Sequence, residues 1–259
     1  YSVENWGPHL FILTNAGGAE DFKIVSTRLE APGLETWTDV VPYRQGVMIR
    51  HLHVIGRHIV RLEIEDARPR IVVRDTTGTD HAVAFAEEAY SLSLHPGHEF
   101  ETSLIRFTYS SMTTPAETYD YDCVTRARQL RKRQEVPSGH DPAAYVTRRL
   151  FATAPDGEQV PISLLHRKDQ PRDGSAPLLL YGYGSYGTLM PANFRTNLLS
   201  LVDRGFVYAI AHVRGGTEKG WRWYLDGKRE KKPNTFTDFI ACGHALAEAG
   251  YTAPGRIVA

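Results

Sequence analysis

The sequence predicts a mixed fold, in which an all-β part is followed by an α/β part, and three observations support this division. Up to about residue 120, short β-branched and aromatic runs are separated by Gly, Pro, Asp and Asn, as in antiparallel sheets. Residues 126–142 are charged and then rich in Pro and Gly, which is typical of interdomain linkers. After residue 143 strands alternate with helical segments, which is typical of a parallel sheet. We therefore predict domains at 1–125 and 143–259, joined by a linker at 126–142.

The all-β part contains predicted strands at a spacing of about 10 to 15 residues, and Gly17-Gly18 is a turn signal between two of them. This spacing fits either a β-sandwich or the four-stranded blades of a propeller. The segments share a pattern but no repeated residues, so periodicity leaves both architectures open. The predicted strands cover residues 9–14, 22–26, 46–53, 58–63, 71–74, 106–111 and 116–122.

The α/β part begins with a predicted hairpin. Asp156-Gly157 separates two alternating strands, at 145–153 and 159–167, and this dipeptide favours a tight turn. The order of the next segments predicts a crossover between two parallel strands. These segments are a buried strand at 177–181, a helix at about 193–204 and a second buried strand at 206–213.

A last helix is the clearest single element of the sequence. Thr235 and Asp238 resemble a capping box, and Gly250 supplies a left-handed stop. Residues 256–259 then begin another parallel strand. We expect the helix to pack on the sheet through an apolar stripe formed by Phe236, Phe239, Ile240, Gly243, Leu246 and Ala247.

Composition excludes some classes of partner. Lysines and arginines balance aspartates and glutamates at 30 each, so no overall field draws the chain to nucleic acid or to an anionic membrane. The basic run at 126–133 could be a nucleic-acid arm, but a solvated linker is the preferred interpretation. Apolar runs are shorter than the roughly 20 residues that span a bilayer.

Only two cysteines occur, Cys123 and Cys242, which favours a reducing, cytoplasmic location.

The motif that carries chemistry is Tyr181-Gly-Tyr-Gly-Ser-Tyr-Gly187, directly after a buried strand. Ligands bind at the carboxyl ends of such strands in open α/β sheets. Glycines allow close approach of the backbone, and a tyrosine hydroxyl on such a turn can donate a hydrogen bond to a developing oxyanion.

Two further groups of residues resemble binding motifs. Gly182-x-Gly184-x-x-Gly187 fits a dinucleotide fingerprint, with Arg214 as a ligand of the NADP phosphate. The segment 188–192 contains Pro191 and delays the next helix, which argues against a pyrophosphate at its N-terminus. His51, His53 and His58 lack a cysteine or acidic partner nearby, so we expect neither a metal nor a cofactor.

Several motifs in order resemble the prolyl oligopeptidase family of serine peptidases, and within it the oligopeptidase B branch. The resemblance is strong over 177–259, and the N-terminal half agrees in its β-rich character with the last blades of the family's propeller. It implies a β-propeller portion followed by the N-terminal half of an α/β-hydrolase domain. The motifs are Tyr181-Gly-Tyr-Gly-Ser-Tyr186, Val213-Arg-Gly-Gly216-Thr-Glu218-Lys-Gly220, Trp223-Tyr224, Gly227-Lys228 and Lys232-Pro-Asn-Thr-Phe-Thr-Asp-Phe239.

The resemblance also implies site residues. Tyr183 falls where the family's tyrosine donates its hydroxyl to the oxyanion, and Tyr186 falls where an aromatic residue lines the substrate pocket. The residues that it assigns to shaping the loops are Gly182, Gly184, Arg214, Gly215 and Gly216.

The implied activity is hydrolysis of short peptides, after Lys or Arg, through an acyl-enzyme. The family's serine stands in a Gly-x-Ser-x-Gly elbow, and this chain contains none, because Ser185 is preceded by Gly and followed by Tyr. We therefore expect a fragment that ends just before the catalytic serine and binds neither nucleic acid nor membranes. A hydrolase fold that binds a partner without catalysis stays open as an alternative.

Overall fold

The computed structural model describes residues 1–95 and 97–259. The first half forms three four-stranded antiparallel sheets in which strands adjacent in sequence pair with each other. Consecutive meanders of this kind are propeller blades, which confirms the all-β prediction and resolves its two alternatives. The first blade contains β1 (Ser2–Trp6), β2 (His9–Thr14), β3 (Lys23–Arg28) and β4 (Thr38–Val41). The second contains β5 (Val47–Ile55), β6 (His58–Glu65), β7 (Arg68–Arg74) and β8 (Asp80–Ala82), and the third β9 (Tyr90–His95), β10 (Leu104–Ser111), β11 (Glu117–Asp122) and β12 (Arg128–Arg133).

The blades pack face to face, which is visible in β6. Ile59 joins an apolar cluster with Phe11 and Ile24 of the first blade. Val60 joins a second cluster with Phe107 of the third blade. Successive strand residues point to opposite faces, so β6 is buried on both sides.

The linker prediction is wrong for Arg128–Arg133, because this stretch forms β12 and pairs with β11. All six of its side chains are exposed. Arg131 and Arg133 form ion pairs with Asp120 and Glu117 of β11, at 3.3 and 2.7 Å. β12 is the outer strand of its sheet, and charges on an outer strand discourage pairing with another chain. This position explains why the run is basic.

The second half forms one five-stranded sheet in the order β13-β14-β16-β15-β17. β15 runs parallel to β16 and β17, whereas β14 is antiparallel to β13 and β16, so the predicted hairpin and crossover are confirmed. No helix in the described residues is long and apolar enough to cross a membrane. The strands are β13 (Tyr145–Thr153), β14 (Gln159–Arg167), β15 (Leu178–Tyr181), β16 (Val207–Ala211) and β17 (Ile257–Val258), and the helices are α1 (Thr196–Val202), α2 (Trp221–Leu225) and α3 (Pro233–Glu248).

The predicted packing face of α3 is confirmed for Gly243 and Leu246, which are buried, and for Phe239, which packs against the core of the sheet. It is wrong for Phe236 and Ile240. The left-handed stop at Gly250 (φ +78°) is confirmed. The helix begins at Pro233, so Thr235 and Asp238 lie inside it and cannot cap it. Both are buried, whereas Phe236 and Ile240 are 61% and 58% exposed. The helix is rotated because Thr235 and Asp238 form hydrogen bonds with the loop after β16.

The propeller and the second half are in direct contact. The buried carboxylate of Asp21 accepts hydrogen bonds from the amides of Gly46, which directly precedes β5, and Trp221, at the start of α2. The amide of Ala67 donates to the carbonyl of Glu218 at 2.8 Å. The loop that follows β16 is therefore attached to two blades.

Candidate active site

The tyrosine motif forms a turn at the carboxyl end of β15. Tyr183 is 44% exposed and Tyr186 is 85% exposed, so neither side chain turns into the core. Tyr186 has a left-handed φ of 58°, between Gly184 at 62° and Gly187 at 67°. This conformation is costly for a tyrosine, and the turn therefore depends on neighbouring segments to hold it.

Two loops, the tyrosine turn and the loop after β16, touch through their backbones, and glycines make this close contact possible. A Cβ atom on Gly184 would collide with Thr235 of α3, and one on Gly215 would collide with the carbonyl oxygen of Gly184. Gly182 and Gly216 are equally confined, by a ring on α3 and a carboxylate of their own loop. Larger residues at these positions would separate the loops.

Arg214 is held between two carboxylates. Its Nε and Nη2 donate to Asp238 on α3 at 2.9 and 2.6 Å, and Nη2 also donates to Asp156 in the β13–β14 turn at 3.2 Å. Burial alone would lower the pKa of Arg214, but the hydrogen bonds that it donates to Asp238 and Asp156 outweigh burial and raise this pKa. Arg214 is 3% exposed, and its guanidinium joins three segments around the turn.

These contacts argue against the dinucleotide interpretation. The guanidinium of Arg214 is already bound by two carboxylates, which would repel a phosphate. Helix α1 begins only at Thr196, well after Gly187, whereas the fingerprint requires a helix that opens directly at the glycines.

A second group of side chains has the residue types of a catalytic triad, but it is closed to substrate. It consists of Ser163, His212 and Glu218. Ser163 Oγ lies 2.8 Å from His212 Nε2, and His212 Nδ1 lies 3.8 Å from Glu218 Oε1. All three residues are buried, with Ser163 fully inaccessible, so a substrate cannot reach the hydroxyl. Burial also lowers the pKa of His212. The group instead holds the segment that follows the turn, because Glu218 Oε1 accepts the amide of Met190 at 3.1 Å.

Sequence reasoning named Lys232 and Thr217 only as members of motifs and gave them no part in holding the turn. The Nζ of Lys232 donates to the carbonyl oxygen of Gly184 at 2.5 Å and to Ser185 Oγ at 2.9 Å. Thr217 donates to the carbonyl of Gly187 at 3.0 Å. These residues lie far along the chain from the turn and carry no local signal of the contact. No group of His, Cys, Asp and Glu that could bind a metal occurs within residues 1–95 and 97–259.

Known proteins resemble the chain along its length. Residues 1–134 match the prolyl oligopeptidase N-terminal β-propeller domain, and residues 192–259 match the prolyl oligopeptidase family. Dipeptidyl aminopeptidase BI of Pseudoxanthomonas mexicana is 42% identical over 100% of this chain, and Protease 2 of Moraxella lacunata is 32% identical, also over 100%. The matched regions are 36% and 37% of those proteins.

Solved structures agree with this match. Oligopeptidase B from Trypanosoma brucei, in a closed form with covalently bound antipain, superposes with a TM-score of 0.89 at 36% identity. The match covers 99% of this chain and 38% of that one. The chain thus spans little more than a third of the length of its relatives, and it belongs to the prolyl oligopeptidase family.

Proposed function

We propose that the chain acts as part of a serine oligopeptidase, of the length of its relatives, in which Tyr183 donates its hydroxyl to the oxyanion. The observation that carries this proposal is a half-exposed tyrosine on a turn, braced from several sides, at the carboxyl end of a parallel strand. Tyr186 forms a wall of the substrate pocket. Gly182, Gly184, Arg214, Gly215 and Gly216 shape the two loops.

The proposed reaction is acyl transfer in two steps. A serine hydroxyl, from the part of the enzyme that this chain does not cover, attacks the peptide carbonyl, and negative charge develops on its oxygen. A donor that is already oriented stabilises this charge without reorganisation. The bracing of the turn around Tyr183 supports such a role. Water then hydrolyses the acyl-enzyme.

The substrate class has two candidates. The resemblance to oligopeptidase B favours cleavage of short peptides after Lys or Arg. The 42% identity to a dipeptidyl aminopeptidase favours release of dipeptides from a free N-terminus. Full-length enzyme should be assayed with N-acylated lysyl and arginyl amides and with unblocked dipeptidyl amides. Turnover of the N-acylated amides supports the first candidate, and turnover restricted to unblocked amides supports the second.

The cellular location is a further part of the proposal. Cys123 and Cys242 are both unpaired and buried, and they lie in two different apolar clusters. Neither thiol contributes to a disulfide within the chain, which supports a reducing cytoplasmic compartment.

Substitution of Tyr183 by Phe in the full-length enzyme tests the catalytic assignment. We expect kcat to fall by a factor of about 10² to 10³, the usual effect of removing one oxyanion donor, with little change in KM. Tyr181→Phe is the matched control, because Tyr181 ends β15 and is similarly exposed. Unchanged kcat for Tyr183→Phe, or an equal loss in both variants, would reject the assignment.

A further inference from the structure

Lys232 lies beside the tyrosine turn without belonging to it. It directly precedes Pro233, the first residue of α3. Its ammonium group forms two hydrogen bonds with the turn, to the Gly184 carbonyl oxygen at 2.5 Å and to Ser185 Oγ at 2.9 Å. Partial burial lowers the pKa of Lys232. A lysine that gives up hydration to contact a backbone carbonyl is specifically placed.

The carbonyl that Lys232 contacts is tightly confined. The Gly215 backbone packs so closely on the Gly184 oxygen that a Cβ atom would not fit. A backbone carbonyl in such a position needs a donor, and Lys232 supplies one. The peptide between Gly184 and Ser185 lies one residue after Tyr183 in the same turn, so holding it restricts the backbone that carries the phenol.

The first turns of α3 hold both loops of the site. Thr235 Oγ1 donates to the Arg214 carbonyl at 2.7 Å, and Asp238 accepts from the Arg214 amide at 2.9 Å. Lys232, just before the helix, forms its hydrogen bonds with the other loop, the tyrosine turn, and not with the Arg214 segment. The same helix therefore fixes the turn that carries Tyr183 and the loop on which that turn rests.

We propose that Lys232 is a positioning residue that orients the Tyr183 hydroxyl toward the oxyanion by holding the Gly184–Ser185 peptide. This inference rests on the function proposed for Tyr183. In this role Lys232 acts on the turn and not on the substrate. Its loss should therefore reduce the stabilisation of the transition state, while substrate binding is largely retained.

The first test compares two adjacent lysines in the full-length enzyme. We expect Lys232→Met to lower kcat about tenfold, the value of one hydrogen bond from a charged donor, with KM changed less than about twofold. Lys232→Arg should recover part of the loss. Lys231→Met is the matched control, because Lys231 is more exposed and pairs with Asp226 at 2.6 Å. Its kcat should equal that of the wild type.

A double-mutant cycle separates positioning from a general loss of stability. If Lys232 acts through the phenol, Lys232→Met should cost nothing further in a Tyr183→Phe background. A multiplicative loss in the double variant, or an unchanged kcat in Lys232→Met, overturns the inference while Tyr183 keeps its role. An unchanged kcat in Tyr183→Phe rejects the proposed function instead. Should Lys232→Met not fold, Lys232→Gln, which keeps a shorter donor, takes its place in the same cycle.

Discussion

Arg214 illustrates how a side chain near a site can be essential without reacting. Its guanidinium joins α3, the β13–β14 turn and the loop after β16 through Asp238 and Asp156. Asp238 is fully buried, and a buried carboxylate requires a partner. The planar guanidinium of Arg214 donates hydrogen bonds to Asp238 from two nitrogens at once. The single ammonium group of a lysine could not reproduce this geometry.

Substitution of Arg214 by Gln should therefore destabilise the protein strongly. Removal of one partner of a buried ion pair costs about 3 to 5 kcal/mol of unfolding free energy, because Asp238 is left without its counter-ion. Arg222→Gln is the control, since Arg222 is exposed and its pair with Asp226 is loose, at 3.4 Å. We expect a change there of at most about 1 kcal/mol. Urea unfolding of the full-length variants measures both, and equal losses would contradict the role assigned to Arg214.

The site was predictable from the sequence only where its signal is local. The position of Tyr183 follows from glycines and aromatics placed just after a buried strand. Lys232 and Asp156 could not be found this way, because each contacts a residue on a distant part of the chain. The Asp156-Gly157 sequence is fully explained by the turn that it forms, so nothing in the sequence indicates that Asp156 also contacts Arg214.

Among the secondary-structure elements, β6 contains an unusual buried network of charges. Glu63 accepts hydrogen bonds from Arg44, Arg61 and Arg70, while Arg61 also binds Asp80 at 2.7 Å. Burial would raise the pKa of Glu63, but the three arginines together lower it, Arg61 most strongly. The network lies on the second blade and ties β6 to β7, β8 and the segment before β5.

Replacement of Glu63 by Gln should destabilise the propeller by about 3 kcal/mol, since buried arginine charge loses its counter-ion. The pKa of Glu63 is lower in the folded state than its reference value of 4.5. Its contribution is therefore fully present above about pH 4.5 and is lost as pH falls through the folded pKa. Glu65→Gln, at the more exposed pair with Arg70, should cost at most about 1 kcal/mol. A stability difference between wild type and Glu63→Gln that stays constant down to pH 2 would contradict this account.

Strands and helices differed in how well their patterns predicted them. The bounds of β13 and β14 were predicted correctly, because alternation and an Asp-Gly turn act over neighbouring residues. Helix α3 and part of its buried face were predicted, but Phe236 and Ile240 are exposed, because the polar contacts of Thr235 and Asp238 turn that side of the helix toward the loop after β16. Short strands such as β8 are missed because three residues carry too little pattern.

Across the chain, the two parts meet at the loops that support the tyrosine turn. Glu218 accepts the Met190 amide through its side chain and the Ala67 amide through its carbonyl. Asp21 binds the start of α2. The change in periodicity after the linker predicted the two parts, but it could not predict their docking, which depends on single hydrogen bonds between distant residues.

A tetrahedral adduct shows whether the Tyr183 hydroxyl binds the oxyanion. The measurement is a crystal structure of the full-length enzyme with a peptide aldehyde bound covalently to its serine. We expect the Tyr183 oxygen to lie about 2.7 to 3.1 Å from the oxygen of the adduct. An adduct oxygen held only by other donors, with the phenol turned away, would contradict the account.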